Sequence, residues 1–228
     1  MGAASKLPLS SPAKGPIAIR PHYIANDLTT IRIKELDVSL AHRDFTARNL
    51  DGSQFMSVTG KTLSVALQRV FHDASGLPLF ELRKGKGMKR SNAGWSLALP
   101  GWREGDVYDD VLSAVFKNFW VHPKLDIKLK NLAPPPHSPA TDSAVDLTNT
   151  YHENVVLEVR GQDSTRLNTV VVCEGRKIMH IRRESDEFTE SVYPHGVGYK
   201  PEWEVRVARG VDVCLAVVIV VILAEHRY

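Results

Sequence analysis

Residues 213–224 read VCLAVVIVVILA, twelve apolar residues with no polar interruption. A surface helix would carry a polar stripe and a half-buried strand would alternate, so a segment apolar all round belongs inside something. Length argues against a bilayer. As a helix the block spans about 18 Å, whereas a hydrocarbon core is about 30 Å thick and takes about 20 residues. A strand is the stronger competitor, because Val213, Val217, Val218, Ile219, Val220, Val221 and Ile222 are β-branched and prefer strands. Their helical penalty, at most about 5 kcal/mol together, is small beside about 14–27 kcal/mol gross for burying nine large aliphatics. Gly210 as a break, Asp212 as an N-cap and His226 with Arg227 at the carboxyl end favour a buried helix over 210–226. So does a length beyond the usual strand.

The rest of the chain must supply the surroundings of that helix, and its texture is β. Runs at 17–24, 29–36, 44–50, 53–58, 62–73, 77–83, 93–99, 124–130, 153–160, 168–175, 177–183 and 203–208 read as short strands. The run 107–118 is ambiguous between helix and strand. Asp51-Gly52 between two such runs marks a tight hairpin, since that pair tolerates the positive φ of a primed turn. In 124–130, Leu125, Ile127 and Leu129 face one way and Lys124, Asp126, Lys128 and Lys130 the other. In 203–208, Trp203, Val205 and Val207 face inward. Ten to twelve strands and one helix with no polar face leave few solutions. A barrel of about eight strands is filled by its own side chains, while one of eleven or twelve has room for an axial helix. The expected fold is therefore mainly β, a closed barrel of about twelve antiparallel strands around the hydrophobic C-terminal helix. Residues 1–16 read as a disordered lead-in and 17–228 as one domain. The proline-rich 131–146 and the acidic 184–202 are loop insertions.

Composition narrows the setting. A net charge of +3 over 228 residues is too weak for a dedicated nucleic-acid binder. Two cysteines in apolar company, with no secretory leader pattern, suggest a reducing, cytoplasmic setting. Gly2 does not open a complete myristoylation pattern, because Lys6 stands where Ser or Thr is wanted.

Several segments resemble the LURP-one-related family of the tubby-like superfamily, which also includes phospholipid scramblases. The resemblance is carried by Asp44-Phe45-Thr46, Asp51-Gly52, His72-Asp73-Ala74-Ser75-Gly76-Leu77-Pro78-Leu79, Leu82-Arg83-Lys84, Trp95 and Val207-Ala208-Arg209-Gly210-Val211-Asp212. It covers nearly everything from 17 to 227, and it implies a twelve-stranded barrel around a central helix. Its turn motifs serve backbone geometry and so testify to fold rather than chemistry.

For chemistry, the densest cationic window is Arg83, Lys84, Lys86, Lys89 and Arg90, with Gly85 and Gly87 leaving backbone open to a phosphate. The plainer reading is a solvated hairpin end. Tubby-like domains bind phosphoinositide head groups through basic barrel residues, so the resemblance implies a non-enzymatic domain that docks on anionic phospholipid or on a protein partner. Lys128 and Lys130 would extend the cluster if their strand lay beside it. The alternatives are a small-molecule or lipid carrier and a scramblase-like membrane protein. Cys173 with His180, His72 with Asp73 and His42 near Asp44 are the nearest approaches to catalytic pairs. Burial or turn-making explains each more simply. No metal spacing or nucleotide loop is present, so no cofactor is expected.

Overall fold

The computed structural model describes residues 8–36, 43–60, 68–85, 94–101, 110–117, 124–134, 153–161, 167–184 and 201–226. Twelve strands form one closed barrel: β1 (Thr29–Leu36), β2 (Asp44–Asn49), β3 (Gln54–Gly60), β4 (Arg69–Asp73), β5 (Pro78–Lys84), β6 (Trp95–Ala98), β7 (Leu112–Lys117), β8 (Lys124–Lys130), β9 (Asn154–Gly161), β10 (Asn168–Cys173), β11 (Arg176–Glu184) and β12 (Glu202–Val207). Each strand pairs with its neighbours in sequence, and β1 closes on β12 from Thr29 opposite Val207 to Lys34 opposite Glu202. An even number of strands lets this meander close with every pairing antiparallel.

The helix α1 (Val213–Glu225) runs through the interior with residues 214–222 buried. Packing and backbone chemistry agree here. A helix satisfies its own N–H and C=O groups, whereas a lone strand on the axis of a closed barrel would leave them without partners. Trp95, Trp203, Phe45, Phe71 and Phe80 point inward around it. The alternation expected for 124–130 and 203–208 holds, with Leu125, Ile127, Leu129, Trp203, Val205 and Val207 all buried.

Four expectations need correction or completion. The run 17–24 is not a strand. Pro21 begins a short 3-10 turn (Pro21–Tyr23), and only Ile17 and Ile24 form single bridges, to Val211 and Asp212. Residues 8–16, assigned by composition to the lead-in, hold backbone bonds at Ser10, which donates to the Lys177 carbonyl at 2.9 Å. The ambiguous 107–118 contains β7, whose Leu112, Ala114 and Phe116 alternate inward. Finally, the helix begins at Val213 rather than Gly210: Gly210 has a φ of +82° and turns the chain inward. Most of 131–146 and 184–202 lies outside the described residues.

Each end of α1 is held by a polar lock. At its start, Asp212 is the N-cap, accepting from Cys214 N at 2.7 Å, and its other oxygen accepts from Ile19 N at 3.0 Å and Arg20 N at 2.8 Å. The segment before β1 is thereby pinned across that mouth of the barrel. At the far end, Arg69 from β4 donates from Nε and Nη2, at 2.9 and 2.7 Å, to one oxygen, Oε1, of the buried Glu225 carboxylate. Gly60 makes room for it, since a Cβ there would stand 2.9 Å from Arg69 Nη1. Arg43 adds a bond to the Ala224 carbonyl at 3.0 Å. His226 stacks on Phe116 with ring centres 3.4 Å apart, and Arg227 lies outside the described residues.

Candidate functional site

Of the five cations in the dense window, Arg83 and Lys84 are described; Lys86, Lys89 and Arg90 lie outside the described residues. Arg83 pairs with Glu81, a carboxylate that also accepts from Gln68 Nε2 at 2.6 Å and from Gly101 N at 3.4 Å. Lys84 sits with its ammonium 5.7 Å from the centre of the Trp95 ring, a distance at which the ring face attracts the cation. The two placed members are thus a compensated charge and a cation resting on an indole. Lys128 and Lys130 belong to β8, three positions round the barrel from β5, and do not extend this cluster.

A different cationic surface forms on the outer wall of β1 and β2. Alternation turns Arg32 and Lys34 outward from β1, and antiparallel register sets Arg48 directly opposite Arg32. All three are exposed. Among the described residues, no ion pair forms at Arg32, Lys34 or Arg48. Their β12 neighbours are Glu204 and Glu202, and Glu204 is drawn the other way, to Arg182 at 3.5 Å. Leu36 continues the outward row of β1 and is 38% exposed; Leu50 follows β2 and is 63% exposed. Together with Thr46, Asn49, Gly52 and Glu202 these residues line a shallow groove of about 510 Å³. The wall of β7, β8 and β9 makes the contrast. Three of its cations are matched by acids, Lys117 and Lys124 with Asp126, and Lys124 and Arg160 with Glu158, while Lys128 is exposed on the same wall.

Clustering in space therefore overrides clustering in sequence. Positions 32, 34 and 48 form no run, yet strand period and hairpin register gather them. Three cations flanked by two exposed leucines can hold an anionic, partly apolar surface: Coulomb attraction brings it in, and the leucines enter its boundary layer.

The catalytic pairs do not assemble. Cys173 is 5% exposed and faces the core, where burial pushes its thiol up, away from the thiolate. His180 stands opposite Val170 on the outer face. Asp73 accepts from Ser75 Oγ at 2.6 Å, Ser75 N at 2.8 Å and Leu77 N at 3.0 Å. It is a turn residue, as Asp51 is in the β2–β3 turn through Ser53. His42 lies outside the described residues. Among the described residues no three His, Cys, Asp or Glu side chains are grouped to hold a metal ion, and no helix is long and apolar enough to cross a membrane.

A family model described as LURP-one-related matches residues 29–224. No curated protein matches the chain. Among solved structures, an X-ray structure of a protein from Arabidopsis thaliana aligns over 94% of this chain and 100% of its own, with a TM-score of 0.56 and 17% identity. At that identity the likeness is one of fold.

Proposed function

We propose that this chain, which belongs to the LURP-one-related family, is a non-enzymatic docking module that settles reversibly on anionic phospholipid, phosphoinositide included, through the outer wall of β1 and β2. The observation that carries the reading is the set of three exposed cations outside any described ion pair, Arg32, Lys34 and Arg48, bordered by Leu36 and Leu50. Each cation near an anionic surface contributes about 1 kcal/mol, so three contribute about 3 kcal/mol, enough for weak and salt-sensitive association. Two cysteines that are both buried and unbridged suit a cytoplasmic setting. The axial helix argues against the carrier alternative, because it occupies the space a cargo would need. A scramblase-like span is disfavoured by the charged outer wall, where Arg or Lys against hydrocarbon costs about 2–4 kcal/mol each.

The test is flotation of the full chain with vesicles of phosphatidylcholine alone, with phosphatidylserine, and with a phosphoinositide, each at low and physiological salt. Wild type should float with the anionic vesicles and less so as salt rises. The variant carrying Arg32→Glu, Lys34→Glu and Arg48→Glu should lose that binding with an unchanged melting temperature, since exposed substitutions are usually worth within about 0.5 kcal/mol each. Lys84→Glu, Lys86→Glu and Lys89→Glu, reversed together, report separately on the sequence-dense cluster. Undiminished binding by the 32/34/48 variant would sink the assignment to this wall. Failure of wild type to bind any anionic vesicle would put the protein-partner reading ahead.

A further inference from the structure

Two strands round from the docking wall, the segment before β1 crosses the outer face of β11. Ser10 N donates to the Lys177 carbonyl at 2.9 Å, and Arg176 donates to the Ser11 carbonyl at 3.3 Å. Between this segment and the β11–β12 wall lies a groove of about 430 Å³ containing Lys177, His180, Arg206 and Arg209, with Leu9 and Leu28 at its edge. The register puts His180 directly opposite Arg206. Lys177 is nearly buried at 8% exposure, while Arg206 and Arg209 are open to solvent.

These groups repel one another. Burial, then Lys177, Arg206 and Arg182, hold the His180 imidazole below its ordinary range; among the described residues Glu204 acts the other way. Burial and then Arg206 likewise lower Lys177. Glu204 already shares its charge with Arg182. Cationic groups gathered in one groove favour an anion there, which weakens their mutual repulsion and receives hydrogen bonds. The donor set fits a tetrahedral oxyanion better than a carboxylate. Two guanidinium forks, an ammonium and an imidazole N–H, spread over two strands and the following turn, exceed what two coplanar oxygens accept.

We propose that this groove binds the dianionic group of a phosphate monoester through Lys177, His180, Arg206 and Arg209. The crossing segment recesses it, setting it apart from the open wall of Arg32, Lys34 and Arg48, and the two proposals stand or fall separately. A free ester and a phosphomonoester lipid share this chemistry.

The experiment follows the His180 ring resonances of the isotopically labelled full chain while inorganic phosphate, phenyl phosphate or sodium chloride is added at constant ionic strength. Phosphate and phenyl phosphate should give saturable shifts, and chloride none. The bound anion should also raise the His180 titration midpoint. Arg206→Gln with Arg209→Gln, both exposed and so expected to fold normally, should weaken phosphate binding at least tenfold. The Arg32/Lys34/Arg48 reversal should leave it unchanged. In a parallel arm, phosphatidic acid vesicles that bind in an Arg206- and Arg209-dependent way, without saturable binding of the free esters, would identify the lipid as the source of the phosphate. Linear shifts identical for phosphate and chloride together with no Arg206- and Arg209-dependent binding to phosphatidic acid vesicles, or wild-type phosphate affinity in a folded Arg206→Gln, Arg209→Gln variant, would overturn the proposal.

Discussion

Replacing Asp212 by asparagine tests the joint that ties the axial helix to the front of the chain. Asp212 is fully buried, and its two oxygens accept three backbone N–H groups, from Cys214 on Oδ1 and from Ile19 and Arg20 on Oδ2. A carboxylate accepts on both oxygens, whereas an amide must turn its NH₂ toward one donor or toward two. Each buried N–H left unpaired costs about 1–3 kcal/mol, so the variant should lose about 2–4 kcal/mol near neutral pH from a stability on the order of 5–15 kcal/mol. The loss should depend on pH. Burial pushes the Asp212 carboxyl up from 3.8 to about 6, outweighing the donors that lower it. The folded protein then keeps a proton where the unfolded chain has released it. This carboxyl's titration stabilises the fold most below about pH 4, and that contribution is lost as pH rises through about 6. Between pH 7 and pH 5 wild type gains about 1 kcal/mol from this group and the asparagine variant gains none. Urea unfolding of both proteins at the two pH values measures the gap between them, which should widen by about 1 kcal/mol at the lower pH. A gap that stays constant or narrows would mean that the three donors, rather than burial, set the acidity of Asp212.

Two further predictions concern the interior. Ile219→Asp should abolish recovery of folded protein, because Ile219 is fully buried and an unpaired charge in the core costs several kcal/mol; a folded variant with the wild-type melting temperature would contradict the axial placement. Arg69→Met should destabilise by about 3–5 kcal/mol by stranding the Glu225 carboxylate, whereas Arg69→Met with Glu225→Leu should recover most of that loss. Thermal melts of the two variants decide it, and equal melting temperatures would mean that the pair is not acting as a unit.

The barrel was legible because its signals are local. Period-two alternation in 29–36, 124–130 and 203–208, the Asp-Gly turn, and a helix with no polar face each announce themselves within a dozen residues. Asp212 was readable as an N-cap for the same reason. Its bonds to Ile19 and Arg20 were not, since they join segments at opposite ends of the chain and leave no pattern in either. Residues 17–24 look like a strand by composition, but Pro21 removes a donor and sets φ, and the segment crosses the barrel mouth instead of joining the wall. The candidate site shows the same division. A density window finds 83–90, where cations are consecutive. Finding Arg32, Lys34 and Arg48 requires knowing that positions two apart share a face and that the pairing of β1 with β2 sets residue 48 opposite residue 32. The first is readable from the strand period; the second is not, because residues 37–43 contain no glycine and no Asp-Gly or Asn-Gly pair to fix the register of β1 on β2.

The order of elements along the chain has a consequence for synthesis. All twelve strands precede α1, and the seam of the barrel joins β1 to β12, the first strand made to the last. A nascent chain leaving the ribosome therefore displays inner faces such as Ile31, Phe45, Phe71 and Leu97 before the segment that covers them exists. Hairpins can form one by one, but closure must wait for β12, and the sheet has two open edges until then. Such an intermediate invites chaperone capture or aggregation. A premature stop before residue 213 would therefore yield a barrel wall with nothing to wrap, cleared by quality control rather than accumulating as a shortened domain.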